Sequence, residues 1–177
     1  MQNKEETPVK GALIYQPQGA AGEYAKWAIN LYHGCSNGCT YCYNRRGVLS
    51  HVFGDKPELA APIIKLREKL LKMYMKDRGI AVRENVYEST VFMNGVLAAQ
   101  RLILADLAKI GEDKIRKDGG IFFSFTCDPF DSYLANNNNI TKWMLHTLVT
   151  RQIPVTILTK NADWLYTEGW KRALTHS

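Results

Sequence analysis

The sequence predicts an α/β fold in which parallel strands alternate with helices. Three apolar segments, residues 27–32, 121–126 and 154–160, have the composition of strands. Segments with helical periodicity lie between them, as expected where each parallel strand is followed by a crossover helix. Polar side chains follow the strands, and ligands in such folds bind beside the carboxyl ends of the strands. We therefore expect a site at that edge of the sheet.

Composition and charge limit the class of protein. The chain has 177 residues, of which 46% are hydrophobic and 23% charged, and this suits a single globular domain. The N-terminus has no secretory signal pattern, and no apolar run approaches the length of a membrane span. Four cysteines, three of them clustered, do not form the pattern of a secreted disulfide framework, so we expect a reducing cytoplasm. The net charge of +6 is compatible with nucleic-acid binding but does not require it.

The predicted elements follow in chain order. Residues 1–26 are a lead-in whose Gly/Ala-rich part, residues 19–22, is typical of a linker. Residues 57–76 and 91–110 are predicted helices, and residues 80–90 between them are ambiguous. The first helix is expected to bury Leu59, Ile63, Leu66, Leu70 and Tyr74, and the second Met93, Leu97, Leu104 and Leu107. A polar loop, residues 112–120, is expected to end in a turn at Gly119-Gly120. Two further helices are predicted at residues 140–151 and 162–176.

The strongest motif is the cysteine loop, which we define as residues 35–42. Cys35, Cys39 and Cys42 are spaced C-x3-C-x2-C, and the next cysteine is Cys127. Thiolates favour iron–sulfur clusters, zinc or copper(I). Zinc sites usually combine two C-x2-C pairs, and the sequence has no second pair. Three cysteine ligands on a four-iron cluster would leave one iron open to a small molecule, as a catalytic zinc keeps an open position.

The cysteine loop resembles the signature of the radical S-adenosylmethionine (SAM) superfamily. Tyr41 is the aromatic residue that this superfamily usually carries before its last cysteine. The longer stretches Tyr32-His33-Gly34-Cys35 and Cys42-Tyr43-Asn44 resemble the spore photoproduct lyase-like branch. The resemblance implies that the three cysteines hold a [4Fe–4S] cluster, and that Tyr41 and Tyr43 line the cluster and the adenine of SAM.

The resemblance extends to the later strands. The segment ending in Cys127-Asp128-Pro129 is similar to the strand that this branch uses near SAM, which implies that Ser124, Thr126 and Asp128 border the cofactor. Lys160 stands where the branch has a lysine that meets the SAM carboxylate. Arg45 and Arg46 after the loop are either solvated charges or contacts for an anionic substrate.

Cys127 is a candidate catalytic residue. Some members of the branch use a cysteine of this strand to return a hydrogen atom to a product radical, at the position where this chain has Phe125. Residues two apart on a strand point to the same side, so Cys127 remains a candidate donor. The alternative is a small buried thiol at the end of the strand.

The resemblance implies a partial parallel (βα) barrel of radical SAM type, of which this chain supplies about the first three to four βα units. We divide the chain into a lead-in, residues 1–26, and a core, residues 27–177, that is expected to be incomplete at its C-terminus. Self-association that completes the sheet, and a compact open variant, are the alternatives.

The implied function is that of a radical SAM enzyme of the lyase-like type. SAM would be cleaved reductively to a 5′-deoxyadenosyl radical that abstracts hydrogen, in DNA lesion repair if the substrate follows the branch. A reductant such as flavodoxin or ferredoxin is the expected partner. The alternatives are a non-catalytic iron–sulfur or zinc-binding module, and a nucleic-acid-binding fragment driven by charge.

Overall fold

The computed structural model of the protein describes residues 11–46, 53–78, 84–134 and 139–163. The strands, in chain order, are β1 (Ile14–Tyr15), β2 (Ala28–Ile29), β3 (Tyr32–His33), β4 (Glu58–Leu59), β5 (Ile121–Phe123) and β6 (Val155–Ile157). The α-helices are α1 (Tyr43–Arg46), α2 (Ala61–Arg78), α3 (Glu84–Ile110), α4 (Glu112–Lys117) and α5 (Asn139–Thr150). Two 3₁₀ segments are Gly19–Glu23 and Ser132–Leu134.

The main sheet has the order β1-β2-β5-β6. Its last three strands are parallel, with Ala28 opposite Phe122 and Ile121 opposite Val155, and β1 pairs antiparallel with β2. Because parallel neighbours need long crossovers, helices α2 to α4 connect β2 to β5, and α5 connects β5 to β6. The prediction of an α/β fold with parallel strands is confirmed; the partial barrel remains a prediction.

The strand predicted at residues 27–32 is divided between two sheets. Ala28 and Ile29 belong to the main sheet, whereas Tyr32 and His33 pair with Leu59 and Glu58 in a separate antiparallel ladder. This second ladder explains why α2 begins at Ala61 rather than at residue 57, since the preceding residues form β4. Leu59 is therefore a strand residue packed against the core, not part of a helical face.

The helices differ from the prediction in extent and in one buried face. Residues 84–90, which were ambiguous, belong to α3, and part of the predicted polar loop is the short helix α4. The buried side chains of α3 include Val96, Ala99, Ile103 and Leu107, while Leu97 and Leu104 are partly exposed. Ala98 and Ala99 are also fully buried. The buried face of α3 includes these small residues because the helix packs against both α2 and α5. The predicted helix at residues 162–176 lies almost wholly outside the described residues.

The core contains Trp27, Ile29, Phe123, Ile103 and Met144, all fully buried. The lead-in is attached to it through Asp106 of α3. This buried carboxylate accepts hydrogen bonds from the backbone N–H groups of Ala12, Leu13 and Ile14 at 2.7, 2.7 and 2.9 Å. Within the described residues, no helix has the length and apolar character needed to cross a lipid bilayer.

Candidate functional site

A cavity of about 670 Å³ lies between the cysteine loop and the segments that follow β5 and β6. Its volume falls within the range of small-molecule sites, about 300–1,000 Å³. The predicted site residues that line it are Cys35, Cys39, Cys42, Tyr41, Tyr43, Ser124, Cys127, Asp128 and Lys160. The cysteine loop therefore shares one concave surface with segments that lie about 80 residues or more further along the chain.

Thr126 is the predicted site residue outside this lining. Its hydroxyl donates to the carbonyl oxygen of Tyr32 at 2.7 Å. This bond ties the segment after β5 to β3, directly before the cysteine loop. Its place in the structure favours a supporting role over contact with a ligand.

The cysteine loop begins with a sharp turn at Gly34. This residue has a φ of +84°, and a Cβ atom there would lie 2.3 Å from the carbonyl oxygen of Lys56. Such a close approach of two backbones requires glycine. Next to it, Cys35 N–H donates to Gly54 O at 3.1 Å, and the Arg45 guanidinium donates to Cys35 O at 2.8 Å. Arg45 also pairs with Asp55, so it supports the loop from outside the cavity.

Two aspartates after β5 hold the cysteine loop in place. Asp131 accepts hydrogen bonds from the Ser36 N–H at 2.6 Å and the Ser36 hydroxyl at 2.5 Å. Asp128 accepts from the Asn37 side-chain amide at 3.0 Å and from the backbone N–H of Lys160 at 2.7 Å. Asp128 thus joins the cysteine loop to the segment after β6 as well as lining the cavity.

Asn30, between β2 and β3, forms hydrogen bonds with the segment after β5 and with the lead-in. Its side-chain oxygen accepts from the Ser124 hydroxyl and the Phe125 N–H, both at 2.9 Å, and its amide donates to the Tyr15 hydroxyl at 2.7 Å. Phe125 stacks on Phe122 with ring centres 4.2 Å apart, and both rings line the cavity. The rings of Phe122 and Phe125 therefore give this part of the cavity an apolar surface, and the side-chain amide of Asn30 fixes the backbone at Phe125.

Tyr43 and Asn44 connect the other end of the loop to the segment that follows β5. The Tyr43 hydroxyl and the Asn44 side-chain amide both donate to the carbonyl oxygen of Phe125, at 2.5 and 2.8 Å. Partial burial raises the pKa of Tyr43, so the phenol stays neutral and able to donate at neutral pH. Tyr41, in contrast, is 63% exposed at the cavity.

The thiols of Cys35 and Cys127 lie side by side. A hydrogen bond from Cys127, which outweighs the opposing effect of burial, lowers the pKa of Cys35 to about 7. The same contact, together with burial, raises the pKa of Cys127 far above its ordinary value. The single S–H of Cys127 has a second acceptor within reach, the carbonyl oxygen of Asp128 at 3.1 Å. Of these two thiols, Cys35 therefore loses its proton more readily than Cys127.

The three loop cysteines line one cavity. Among the residues that the structure describes, no three His, Cys, Asp or Glu side chains converge where one metal ion could be held. In a four-iron cluster the three cysteines would bind three different irons of one compact unit, so they would surround the cluster without meeting at a single ion. Three soft donors around one cavity are compatible with that geometry.

Sequence reasoning missed three parts of the site. Asn30 could have been found as the polar residue inside the apolar segment 27–32, since an amide that is partly buried there needs hydrogen-bond partners. Asp131 could have been found in Asp128-Pro129-Phe130-Asp131, because aspartates after a buried strand commonly form Asx turns. Ala20, Ala21 and Tyr24 of the lead-in form a wall of the cavity, and no local pattern indicated this.

We compared the chain with protein-family models, with curated proteins and with solved structures, and none of the three comparisons gave a match.

Proposed function

We propose that this chain is a radical SAM protein, which binds a [4Fe–4S] cluster through Cys35, Cys39 and Cys42 and binds SAM beside it. One observation carries the proposal. The three cysteines share a ligand-sized cavity with the aromatic, acidic and basic residues that follow the parallel strands β5 and β6. A chance C-x3-C-x2-C spacing would not require these distant segments to meet at the same cavity. The three parallel strands β2, β5 and β6 would be the first units of the partial barrel.

When bound, the two groups supply one electron and, by reductive cleavage of SAM, a 5′-deoxyadenosyl radical that abstracts hydrogen from a substrate. The protein's own residues bind and orient. The ammonium group of Lys160 provides a positive charge for a carboxylate. Tyr41, Tyr43 and the stacked pair Phe122 and Phe125 provide flat apolar surfaces that suit an adenine ring and exclude water.

Cys127 would be the hydrogen-atom donor of this site. It lines the cavity, it is 6% exposed, and its raised pKa keeps hydrogen on sulfur at neutral pH. A thiol used for hydrogen transfer must be protonated and shielded from oxidants, and this environment provides both conditions.

A DNA lesion is the proposed substrate, and a flavodoxin or ferredoxin the proposed reductant, in a cytoplasmic setting. The net charge of +6 supports contact with a polyanion. Lys160 and the exposed rings of Tyr24, Tyr41 and Tyr43 lie at the cavity, and aromatic rings offer stacking surfaces for bases. Strand β6 is an edge of the described sheet, so a second copy pairing there is the proposed route to self-association.

Electron paramagnetic resonance of the anaerobically reconstituted, dithionite-reduced chain tests the proposal. We expect a four-iron signal that changes when SAM is added, and 5′-deoxyadenosine as a product. A cluster signal indifferent to SAM would contradict the SAM site and leave an iron–sulfur module. One tightly bound zinc ion in place of iron would contradict the radical chemistry altogether.

The fourth cysteine provides a matched control. Cys35→Ser, Cys39→Ser and Cys42→Ser should each abolish the four-iron signal, whereas Cys127→Ser should keep it. Loss of iron in the Cys127 variant alone would contradict the ligand assignment. Nucleic-acid binding that survives loss of all three loop cysteines would support the charge-driven alternative.

A further inference from the structure

Asp131 stands out as a buried carboxylate that the proposed chemistry does not use. Its residue is 0% exposed, although it lies at the end of a loop rather than in the apolar core. It has no part in the lining of the cavity. Burying an ionised carboxylate is costly unless hydrogen bonds compensate, so its position requires an explanation.

The contacts of Asp131 converge on the first residues of the cysteine loop. One carboxylate oxygen accepts the Ser36 N–H at 2.6 Å, and the other accepts the Ser36 hydroxyl at 2.5 Å and the Tyr133 N–H at 2.9 Å. Ser36 directly follows Cys35 in the chain, so the carboxylate lies beside a loop cysteine. These three donors are uncharged, so they distribute the negative charge without neutralising it.

The carboxylate is ionised in this environment. Both of its oxygens accept hydrogen bonds from N–H or O–H donors, as an ionised carboxylate does, whereas a protonated carboxyl group would use one oxygen as a donor. The result is a fixed negative charge beside one of the three loop cysteines, shielded from solvent. Charges are screened least where water is excluded.

We propose that Asp131 is a positioning residue with an electrostatic role: it presets the backbone at Ser36 for metal binding and, through its charge beside Cys35, holds the reduction potential of the bound cluster low. This inference rests on the proposed cluster but not on SAM chemistry. Net charge and hydrogen bonding around the cysteine sulfurs are among the factors that set iron–sulfur potentials. A neighbouring anion disfavours addition of an electron, so its removal raises the potential. A low potential suits a centre that must deliver an electron for reductive cleavage.

The test is an anaerobic redox titration of the reconstituted full chain, monitored by electron paramagnetic resonance in the absence of SAM. Asp131→Asn keeps the size and an acceptor for Ser36 but removes the charge, and we expect its midpoint potential to shift to a more positive value. Asp131→Glu restores the charge and should return the potential toward that of the wild type. Asp113→Asn removes an exposed carboxylate on α4 and should leave the potential unchanged.

Ser36→Ala keeps the charge of Asp131 and changes only its hydrogen bonding. It therefore provides a second test if Asp131→Asn takes up no iron. It removes one donor from the carboxylate and leaves the anion less compensated, so we expect a shift to a more negative value together with a lower iron content per chain. If Asp131→Asn binds a cluster, a wild-type midpoint potential in that variant would overturn the inference. If Asp131→Asn binds no cluster, a wild-type midpoint potential in Ser36→Ala would overturn it. A positive shift in Ser36→Ala would overturn it as well.

The outcomes also distinguish this inference from the proposed function. A wild-type chain that assembles no cluster overturns both. A cluster that ignores SAM but shows the opposite shifts in Asp131→Asn and Ser36→Ala overturns the SAM site and supports the role of Asp131.

Discussion

The ammonium nitrogen of Lys160 lies 4.6 Å from the centre of the Tyr41 ring, so the segment after β6 contacts the cysteine loop. Both residues line the cavity. A cation over an aromatic face at an exposed site contributes about 0.5–1 kcal/mol. This weak contact leaves the ammonium group available for a stronger acceptor, such as a carboxylate.

Replacing Lys160 should weaken SAM binding without removing the cluster. In Lys160→Met we expect SAM affinity to fall about ten-fold, because a hydrogen bond to a charged group contributes about 1.5–3 kcal/mol and this site is exposed. Isothermal titration calorimetry of the cluster-loaded protein measures the effect. Lys69→Met on the exposed surface of α2 is the matched control. An unchanged affinity in the Lys160 variant would remove this residue from the site.

Replacing Asp128 should destabilise the fold as well as the site. In Asp128→Ala, the N–H of Phe130, the N–H of Lys160 and the hydroxyl of Thr159 lose their acceptor. Each unsatisfied buried donor costs about 1–3 kcal/mol, so we expect the free energy of unfolding to fall by about 2–5 kcal/mol. Urea denaturation measures this value. Asp77→Ala at an exposed position of α2 should change it by less than about 0.5 kcal/mol, and equal losses in both variants would refute the role of Asp128.

The pair Gly119-Gly120 offers a test with an internal control. Both residues have a positive φ, +95° and +91°, but only at Gly120 would a Cβ atom meet backbone, at 2.0 Å from the carbonyl oxygen of Pro154. Gly119→Ala should cost about 1–2 kcal/mol of stability from strain alone. Gly120→Ala should cost more, because β5 and β6 would have to separate. Thermal unfolding of the two variants compares them, and a larger loss at Gly119 would contradict the structure.

Asp118 should contribute a pH-dependent part of the stability. Hydrogen bonds from the indole N–H of Trp27 at 2.9 Å and from Lys26 at 3.0 Å lower its pKa from the ordinary value of 3.8. Because the pKa is lower in the folded chain than in the unfolded one, the contribution is complete above pH 3.8 and is lost as the pH falls through the folded value. Unfolding free energies of wild type and Asp118→Asn should therefore differ at neutral pH and converge below pH 3.8. A difference in unfolding free energy that grows as the pH falls would contradict a lowered pKa of Asp118. Asp77→Asn is the control.

The sequence predicted the local features of the fold well. Helix α5 begins within one residue of the prediction, and the turn at Gly119-Gly120 is confirmed by two positive φ values. These features depend on periodicity and on glycine, which act within a few residues. The division of residues 27–32 between two sheets could not be predicted, because it depends on a partner strand, β4, within a segment whose periodicity suggested helix.

The candidate site was only partly visible in the sequence for a related reason. Nine of the residues that line the cavity were named from motifs, but the bonds that assemble the site join distant positions, such as Ser36 with Asp131 and Asn30 with Ser124. No local pattern encodes which aspartate lines the cavity and which one lies behind it. Only the fold distinguishes Asp128, at the cavity, from Asp131, behind it.

The hydrogen bonds to Asp106 join a segment that is synthesised early to one that is synthesised late. The amides of residues 12–14 leave the ribosome more than ninety residues before the carboxylate that receives them. Until α3 has been synthesised, those amides lack this acceptor, and the stretch that contributes Ala20, Ala21 and Tyr24 to the cavity has no anchor on that helix. The cysteine loop is therefore synthesised before the residue that anchors this wall of the cavity.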